Sequence, residues 1–564
     1  MATIEDAGRF DGTTLIWPDR PSLHGDGPFA LVEEEVLGSR LAVFRTRPRS
    51  MLELLEHAAG FGDAAAFVFD GAPISHIDYV ERVARVARML ADCHGIGPGD
   101  RVALLGSNTA AWVIAFSAIT SLGAIAVALN GWWVEAEIRH GIALTAPRLV
   151  LADRRRLPRV PTAPIGDGIV LRELEAFVDE AVAGGPSASL PRASIREDDP
   201  AAILFTSGTT GRPKGAVQSH RNLMVLASCT GHVASQAPPP MPGGASDPPC
   251  SLYLLPLFHV SGLQGGLIHT LLLGWKSVWL SGRFDERLVF ERSERERVTT
   301  WSVVPAQLYR LLEHPAFHDH ELSSLRSVGG GGSAWPPSLT ELVRKQLPAA
   351  AAAMSFGFGQ TESAGMGTAN SGPPLHARPD SAGRPRPTMA VQIRDASGDP
   401  CGEGVEGEIC LRGPGVFLGY WQDPGASREA LDAQRWLATG DVGRIEDGLL
   451  FVAGRRGELV IRGGENVYPA EVEAQLLAHP AVAEAAVFGV PHRVLGEEVK
   501  AVVRPHDGAP LDEGELRRWL EPRLAGFKIP AYFELREIPL PRNVTGKVLK
   551  HVLRDGGASI FHED

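Results

Sequence analysis

Residues 205–215 read FTSGTTGRPKG: three glycines, three threonines and a serine, closed by Arg212, Pro213 and Lys214. An apolar run at 201–205 leads in, and Ala216 and Val217 lead out. A strand that opens into such a loop exposes backbone N–H groups with no side chains in the way. Hydroxyls add donors, and a lysine adds a mobile positive charge. These are the parts of a polyphosphate cradle. A Walker A loop needs Ser or Thr directly after its lysine. Here Gly215 follows Lys214, so ordinary P-loop NTPase chemistry is disfavoured. Taken alone, the same residues also make a surface hairpin rich in turn formers.

A cradle needs a frame. The chain has 564 residues, enough for about two to four domains. Its 44% hydrophobic and 22% charged residues are ordinary for a soluble globular protein. A net charge of −12 without a basic block argues against nucleic acid or an acidic membrane surface as partner. A nucleotide must then be held by local donors. Cys93, Cys229, Cys250, Cys401 and Cys410 are scattered and form no CxxC. A disulfide framework and a zinc site are disfavoured, and a cytoplasmic, reducing location fits. The N-terminal MATIEDAGRFDG lacks the apolar core of a signal peptide. The most apolar stretch of membrane-spanning length, 254–275, is interrupted by Pro256, His259, Gln264 and His269.

Residues 1–48 carry few periodic signals and are expected to wrap the surface as an extension. Val80, Val83, Ala87 and Leu90 recur at helical spacing, and GIGPG at 95–99 stops that helix. Residues 102–105 read as a strand, Asn108 as the cap of a helix to about 122, and 124–129 as the next strand. A helix from 135 and a strand at 148–151 continue the alternation, which predicts a parallel sheet wound on both faces. A helix starts near Arg221, 235–250 is an irregular Pro/Gly-rich loop, and strands follow at 252–255, 277–280 and 299–304. Alternating segments at 390–394 and 407–411 predict an antiparallel sheet. Beyond Gly454, helices at 470–478 and 513–524 mix with strands at 483–489, 499–503 and 532–535. The fold class is α/β. A large N-terminal domain (49–454) holds doubly wound mixed sheets plus a small antiparallel β-barrel-like part, and a small mobile α+β C-terminal domain (455–564) follows.

Six stretches occur in order: FTSGTTGRPKG (205–215), PLFHVSGL (256–263), GGGGSAWPP (329–337), GFGQTES (357–363), TGD (439–441) with GRRGELVIRGGENVYPAEVE (454–473), and PRNVTGKVLK (541–550). Together they resemble the adenylate-forming superfamily of acyl-CoA synthetases, peptide-synthetase adenylation domains and luciferases. The texture GGENVYPAEVE looks most like a bacterial acyl-CoA ligase. The resemblance implies two steps. A carboxylate attacks the α-phosphate of Mg-ATP to give acyl-AMP and pyrophosphate. The C-terminal domain then swings, and the thiol of CoA displaces AMP.

The resemblance also implies roles. Thr206, Ser207, Gly208, Thr209, Thr210, Gly211 and Lys214 would hold the departing phosphates. Glu362, with Thr206, would bind Mg²⁺, and Thr361 would sit by the α-phosphate. Gly357, Phe358, Gly359 and Gln360 would flank the adenine, Phe358 standing where the family usually has Tyr. Asp441 would accept from the ribose hydroxyls, and Arg455 would contact ribose or phosphate. Lys547 would bridge the carboxylate and the α-phosphate. A hinge is implied at 455–458; Gly457 replaces the usual Asp or Lys, which permits rotation without a side-chain lock. Arg462, Gly463 and Gly464 would enter the site for thioester formation. His259, Val260, Val304, Gly331, Gly332, Trp335 and Gly359 would wall the acyl pocket. Acetate-activating relatives carry Trp where Gly359 stands, so a longer or aryl acid is expected.

The expected activity is ATP-dependent activation of a medium- to long-chain or bulky apolar acid and its transfer to CoA, within fatty-acid or lipid metabolism, in a cytoplasmic enzyme that forms a homodimer. Two other enzyme readings are an amide-bond ligase passing the adenylate to an amine and an aryl-CoA ligase. A non-enzymatic nucleotide-binding regulator would have lost the charged residues, yet Lys214, Glu362, Asp441, Arg455 and Lys547 are all present.

Overall fold

The computed structural model describes residues 8–18, 20–161, 169–184, 188–206, 213–236, 249–331, 335, 337–462, 465–493, 495–542 and 547–554. Two largely parallel sheets form its centre. One has seven strands, in the order Val170–Glu173, Leu149–Ala152, Arg101–Leu105, Ile125–Leu129, Pro200–Thr206, Lys214–Ser219 and Gly419–Tyr420. The other has nine, running from Arg384–Pro385 through Gly367–Ser371, Ser355–Gly359, Ser327–Gly331, Thr300–Ser302, Cys250–Tyr253, Lys276–Trp279 and Ala65–Phe69 to Ala72–Ser75. Helices fill the space between them. Ala110–Ser121 reads AAWVIAFSAITS, apolar on every side, so it must be covered on every side. Its Trp112 and Phe116 stack at 5.4 Å inside a core that takes in Leu104 and Ala128 of one sheet and Phe67 and Trp279 of the other. Each such fully buried large side chain contributes about 1.5–3 kcal/mol.

The local signals act as the residues dictate. Ser75 Oγ accepts from the Asp78 N–H to start the helix His76–His94, and Gly95, at φ 59°, ends it in the left-handed conformation that glycine adopts without strain. One cap differs from expectation. Thr109, not Asn108, caps Ala110–Ser121. Asn108 instead donates to the Leu255 carbonyl and accepts from the Leu257 N–H, tying this helix to the PLFHVSGL segment.

The antiparallel part is a six-stranded sheet: Arg9–Phe10, Thr14–Ile16, Ala390–Arg394, Gly407–Arg412, Leu437–Glu446 and Leu449–Arg455. Its first two strands correct the reading of 1–48 as a mere surface wrap. Leu15 is fully buried in this sheet's core, and Leu31–Val36 pairs with Ser39–Phe44 as a hairpin. Two- and three-residue strands are too short to show periodicity. Beyond Glu458 a separate five-stranded sheet packs the helices Pro469–Leu477 and Glu513–Leu520 around its own core. No helix among the described residues is long and apolar enough to cross a membrane. All five cysteines are free thiols.

Candidate active site

Thr206 and Lys214 face each other as the last described pair of the hairpin Pro200–Thr206/Lys214–Ser219. Ser207, Gly208, Thr209, Thr210 and Gly211 lie outside the described residues, as do Gly332, Gly463 and Gly464. The next strand of the sheet, Gly419–Tyr420, pairs Tyr420 with Ala216, two residues along from Lys214. Lys214 Nζ therefore lies 5.1 Å from the centre of the Tyr420 ring. The Tyr420 hydroxyl donates to Glu362 Oε1 at 2.8 Å. Burial, and then the Glu362 charge, hold the phenol protonated well above its usual range, so it remains a donor. Glu362 is 8% exposed and sits in the turn Thr361–Ser363, which is held from two sides. Gln218 Nε2 donates to the Thr361 carbonyl at 2.8 Å, and the Phe417 N–H donates to the Glu362 carbonyl at 2.9 Å. The candidate phosphate lysine and the candidate metal carboxylate are thus joined by a tyrosine that the motif reading did not include. The GYW tripeptide was visible in sequence, but only sheet pairing sets it beside Lys214.

A second group of charges forms at the end of the six-stranded sheet. Asp441 and Arg455 are directly opposite across the last two strands, and Arg455 Nε donates to Asp441 Oδ1 at 3.1 Å. Gly440, at φ 73°, makes the TGD turn, and the Thr439 hydroxyl receives the Asp441 N–H. Asp441 is 7% exposed. Burial raises its carboxyl, while the charges of Arg455 and then Lys547 oppose that rise. Lys547, from the C-terminal segment, therefore comes into electrostatic range of Asp441. It is held by Glu458, whose Oε1 accepts from Lys547 Nζ at 3.0 Å and whose Oε2 accepts from Lys550 Nζ at 3.1 Å. Burial alone would raise Glu458, but Lys550 and Lys547 bring it down to about 2, so the clamp is ionised throughout the neutral range. Arg455 joins the two groups, since its charge also reaches Tyr420. Contacts and charge interactions thus run from Lys214 and Glu362 through Tyr420 to Arg455, Asp441 and Lys547. Arg462 stands apart from them, with Nε on Glu498 Oε1 at 2.5 Å.

The expected acyl-pocket residues divide. His259 is enclosed, its Nε2 has no partner among the described residues, and burial pushes its pKa down to about 4, so the ring is neutral. Val260 lies 3.5 Å from where a β-carbon on Gly365 would stand. Gly331 pairs with Gly357 in the parallel sheet, and Val304 lines the large cleft described below. Phe358 packs against the core of the six-stranded sheet, and Gln360 caps the Thr361–Ser363 turn. Two positions are corrected. Trp335 stacks on Phe356 at 5.3 Å in the core on the far face of the nine-stranded sheet, so it is a packing residue. Gly359 does not owe its missing side chain to an open pocket: a β-carbon there would meet the Gly365 carbonyl oxygen at 2.6 Å, so close backbone approach already requires glycine.

A cleft of about 1330 Å³ opens between the two parts of the chain. Asn108, Trp132, Phe258 and Val304 line it on one side, and His479 and Arg542 on the other. Arg154 and Arg155, also in its wall, are exposed and make no ion pair among the described residues, whereas the adjacent Arg156 is buried against Asp153. As for a metal, no cluster of three or more His, Cys, Asp or Glu exists among the described residues. A single fixed carboxylate, Glu362, fits an ion that keeps its waters and arrives on phosphate oxygens, as Mg²⁺ does.

Comparison with known proteins places the chain in a family. The family model for AMP-binding enzymes matches residues 54–421, and that for the AMP-binding enzyme C-terminal domain matches 471–547. A feruloyl-CoA synthase of Amycolatopsis sp. is 36% identical over 496 residues, covering 87% of this chain and 95% of that protein. The o-succinylbenzoate CoA synthetase of Bacillus subtilis, solved with its acyl-adenylate intermediate, superposes with a TM-score of 0.76 at 30% identity, covering 91% of this chain and 99% of that one. The same enzyme solved with ATP and a magnesium ion gives 0.75 at 30% identity, covering 89% and 99%. With both family domains present in order and its site charges assembled from both, this chain belongs to the AMP-binding, adenylate-forming enzymes and is an acyl-CoA synthetase, which joins a carboxylic acid to CoA through an acyl-AMP intermediate at the expense of ATP.

Proposed function

We propose that this enzyme activates a bulky acid, aryl or ring-bearing, and that Lys214, Glu362, Asp441 and Lys547 divide the work of adenylation. The observation that carries the reading is the convergence of Lys547 with Asp441 and Arg455, and through Arg455 with Tyr420 and Glu362. Asp441 offers paired acceptors to a ribose diol. Lys214 supplies positive charge where pyrophosphate departs. Bound at Glu362, Mg²⁺ would neutralise phosphate charge. Lys547 orients the attacking carboxylate and stabilises charge at the α-phosphate. Neutral His259 lines the acyl side without competing for that proton-free carboxylate. The large cleft suits the phosphopantetheine arm, and the exposed Arg154 and Arg155 offer guanidiniums to the phosphates of CoA. The activities of these relatives, feruloyl- and succinylbenzoate-CoA formation, support a ring-bearing acid over a fatty acid.

A panel of acids from acetate to long-chain and aryl acids, offered with ATP and either CoA or an amine, tests this reading. Aryl or ring-bearing acids with CoA are expected to give thioester, AMP and pyrophosphate in equal amounts. Amide from the amine alone, or a clear preference for unbranched fatty acids, would overturn it. A narrower test concerns the metal. Tyr420→Phe removes the hydroxyl that orients Glu362, a change that elsewhere costs about 10–100-fold in metal affinity. Half-maximal activity of Tyr420→Phe is expected to need about tenfold more Mg²⁺ or above, with full recovery at saturation; an unshifted Mg²⁺ titration would remove Glu362 from that role.

A further inference from the structure

We propose that the acid carries a second carboxylate and that Arg386 receives it at the inner end of the acyl site. The proposal rests on the acid-activation reading above and adds the chemistry of the substrate's far end.

Arg386 stands in GRPRP (383–387). Its N–H donates to the Gly367 carbonyl at 2.8 Å, which sets its backbone beside the segment that follows Thr361–Ser363. Its guanidinium reaches over the glycine strand Ser355–Gly359, with Nη2 3.7 Å from where a β-carbon on Gly357 would lie. Its charge is felt at Cys229 and His269, so it sits between that strand and the two helical segments His220–Ser235 and His269–Leu273. Although enclosed on these sides, Arg386 is only half-buried, so part of it is open to a ligand. Among the described residues it has no ion pair, no side-chain hydrogen bond and no aromatic ring beneath it. The one charge partner in range is Cys229, a buried thiol pushed up to about 12 and therefore neutral. An enclosed cation without an anion is costly.

The neighbouring helix adds polar groups in the same condition. PLFHVSGL runs directly into a π-helix, Leu263–Ile268, a form that occurs frequently at functional sites. Gln264 on it is fully buried, and neither amide atom has a partner among the described residues. His269, one wide turn later, donates Nδ1–H to the Gly265 carbonyl at 2.5 Å, and the Leu226 backbone also acts on its ring. Beside Gly265 a β-carbon would meet no atom within 4 Å. A hydrocarbon tail here would leave a cation and several polar atoms unpaired. A carboxylate fits, because the guanidinium fork matches it bidentately.

The test compares aryl and alkyl diacids with the monomethyl esters of their distal carboxyls, which keeps size nearly constant. The parent enzyme is expected to favour the diacids about a hundredfold in kcat/KM. Arg386→Met is expected to bring that preference to about one, with Arg386→Lys between the two. Without ligand, Arg386→Met is expected to unfold at a higher temperature than the parent, and diacid to raise the unfolding temperature of the parent only. Equal use of diacid and monoester by the parent overturns the proposal, as does retention of the preference in folded Arg386→Met. Should that variant not fold, the parent's ratio and Arg386→Lys decide. Thioester from monoesters alone leaves acid activation standing and removes the second carboxylate. Thioester from neither class removes both.

Discussion

Lys547→Ala is expected to lower pyrophosphate release from ATP and acid by about a thousandfold or more, the scale on which enzymes lose a main electrostatic group at a phosphoryl centre. Conversion of supplied acyl-AMP and CoA to thioester should fall far less. The reason lies in where the lysine is held. Glu458, at the end of the hinge region, fixes Lys547 and Lys550 together, and the Lys547 charge reaches Asp441 in this arrangement. Gly457, just before Glu458, has nothing within 4 Å of a would-be β-carbon, and glycine there leaves the backbone free to change φ and ψ. A C-terminal domain that rotates about this point carries Lys547 and its clamp away as one piece, leaving the second step to other groups. Single-turnover measurement of each half-reaction checks this, and equal loss in both would refute the alternation. Stability should change little, because Lys547 is 43% exposed and Lys550 still neutralises Glu458.

Asp441→Ala should act on nucleotide binding, raising the KM for ATP at least about a hundredfold through loss of two hydrogen bonds to a charged acceptor, each about 1.5–3 kcal/mol. Asp441 is buried with Arg455 on one side and the Thr439 turn on the other, so its oxygens are oriented before any ligand arrives. Alanine also strips Arg455 of its partner. Asp441→Asn is therefore the needed control: it keeps the shape and one acceptor, and should fall between the two in KM with thermal stability close to the parent. An ATP KM unchanged in both variants would exclude the ribose role. Because Asp441 is pushed up by burial, nucleotide affinity should weaken as the pH drops through its raised pKa, whereas Glu458, held at about 2, stays ionised there.

Much of this was legible in the chain. Val80, Val83, Ala87 and Leu90 with Gly95 announce a helix and its end, because 3.6-residue periodicity and a left-handed glycine are local properties. The motif glycines announce a phosphate loop through residue type, while the metal, ribose and carboxylate roles of Glu362, Asp441 and Lys547 came from the resemblance of their motifs to the family. Local order could not tell which side of a glycine is open. Gly359 appeared to leave room for substrate, but its space is filled by the Gly365 backbone, while Gly265, outside every motif role, has open space beside it. Nor could it distinguish Trp335 as packing from Trp335 as pocket wall, a matter of which face of the sheet it covers.

The sequence by itself determined which groups are present and in what order, and the resemblance of its six motifs to the adenylate-forming superfamily pointed from a loop of backbone donors, two carboxylates and two lysines to adenylate formation. Only the tertiary structure decided how these groups are held and what else joins them. Tyr420 reaches Glu362 because an antiparallel strand pairs beside the phosphate hairpin. Glu458 clamps Lys547 because the C-terminal segment folds back on the hinge. Arg386 lies without an anion among the described residues, where a turn, a glycine strand and two helical segments close around it. Each is a long-range contact. Charge, burial and the presence or lack of a partner are set by residues far apart in the chain, and no spacing along it records them.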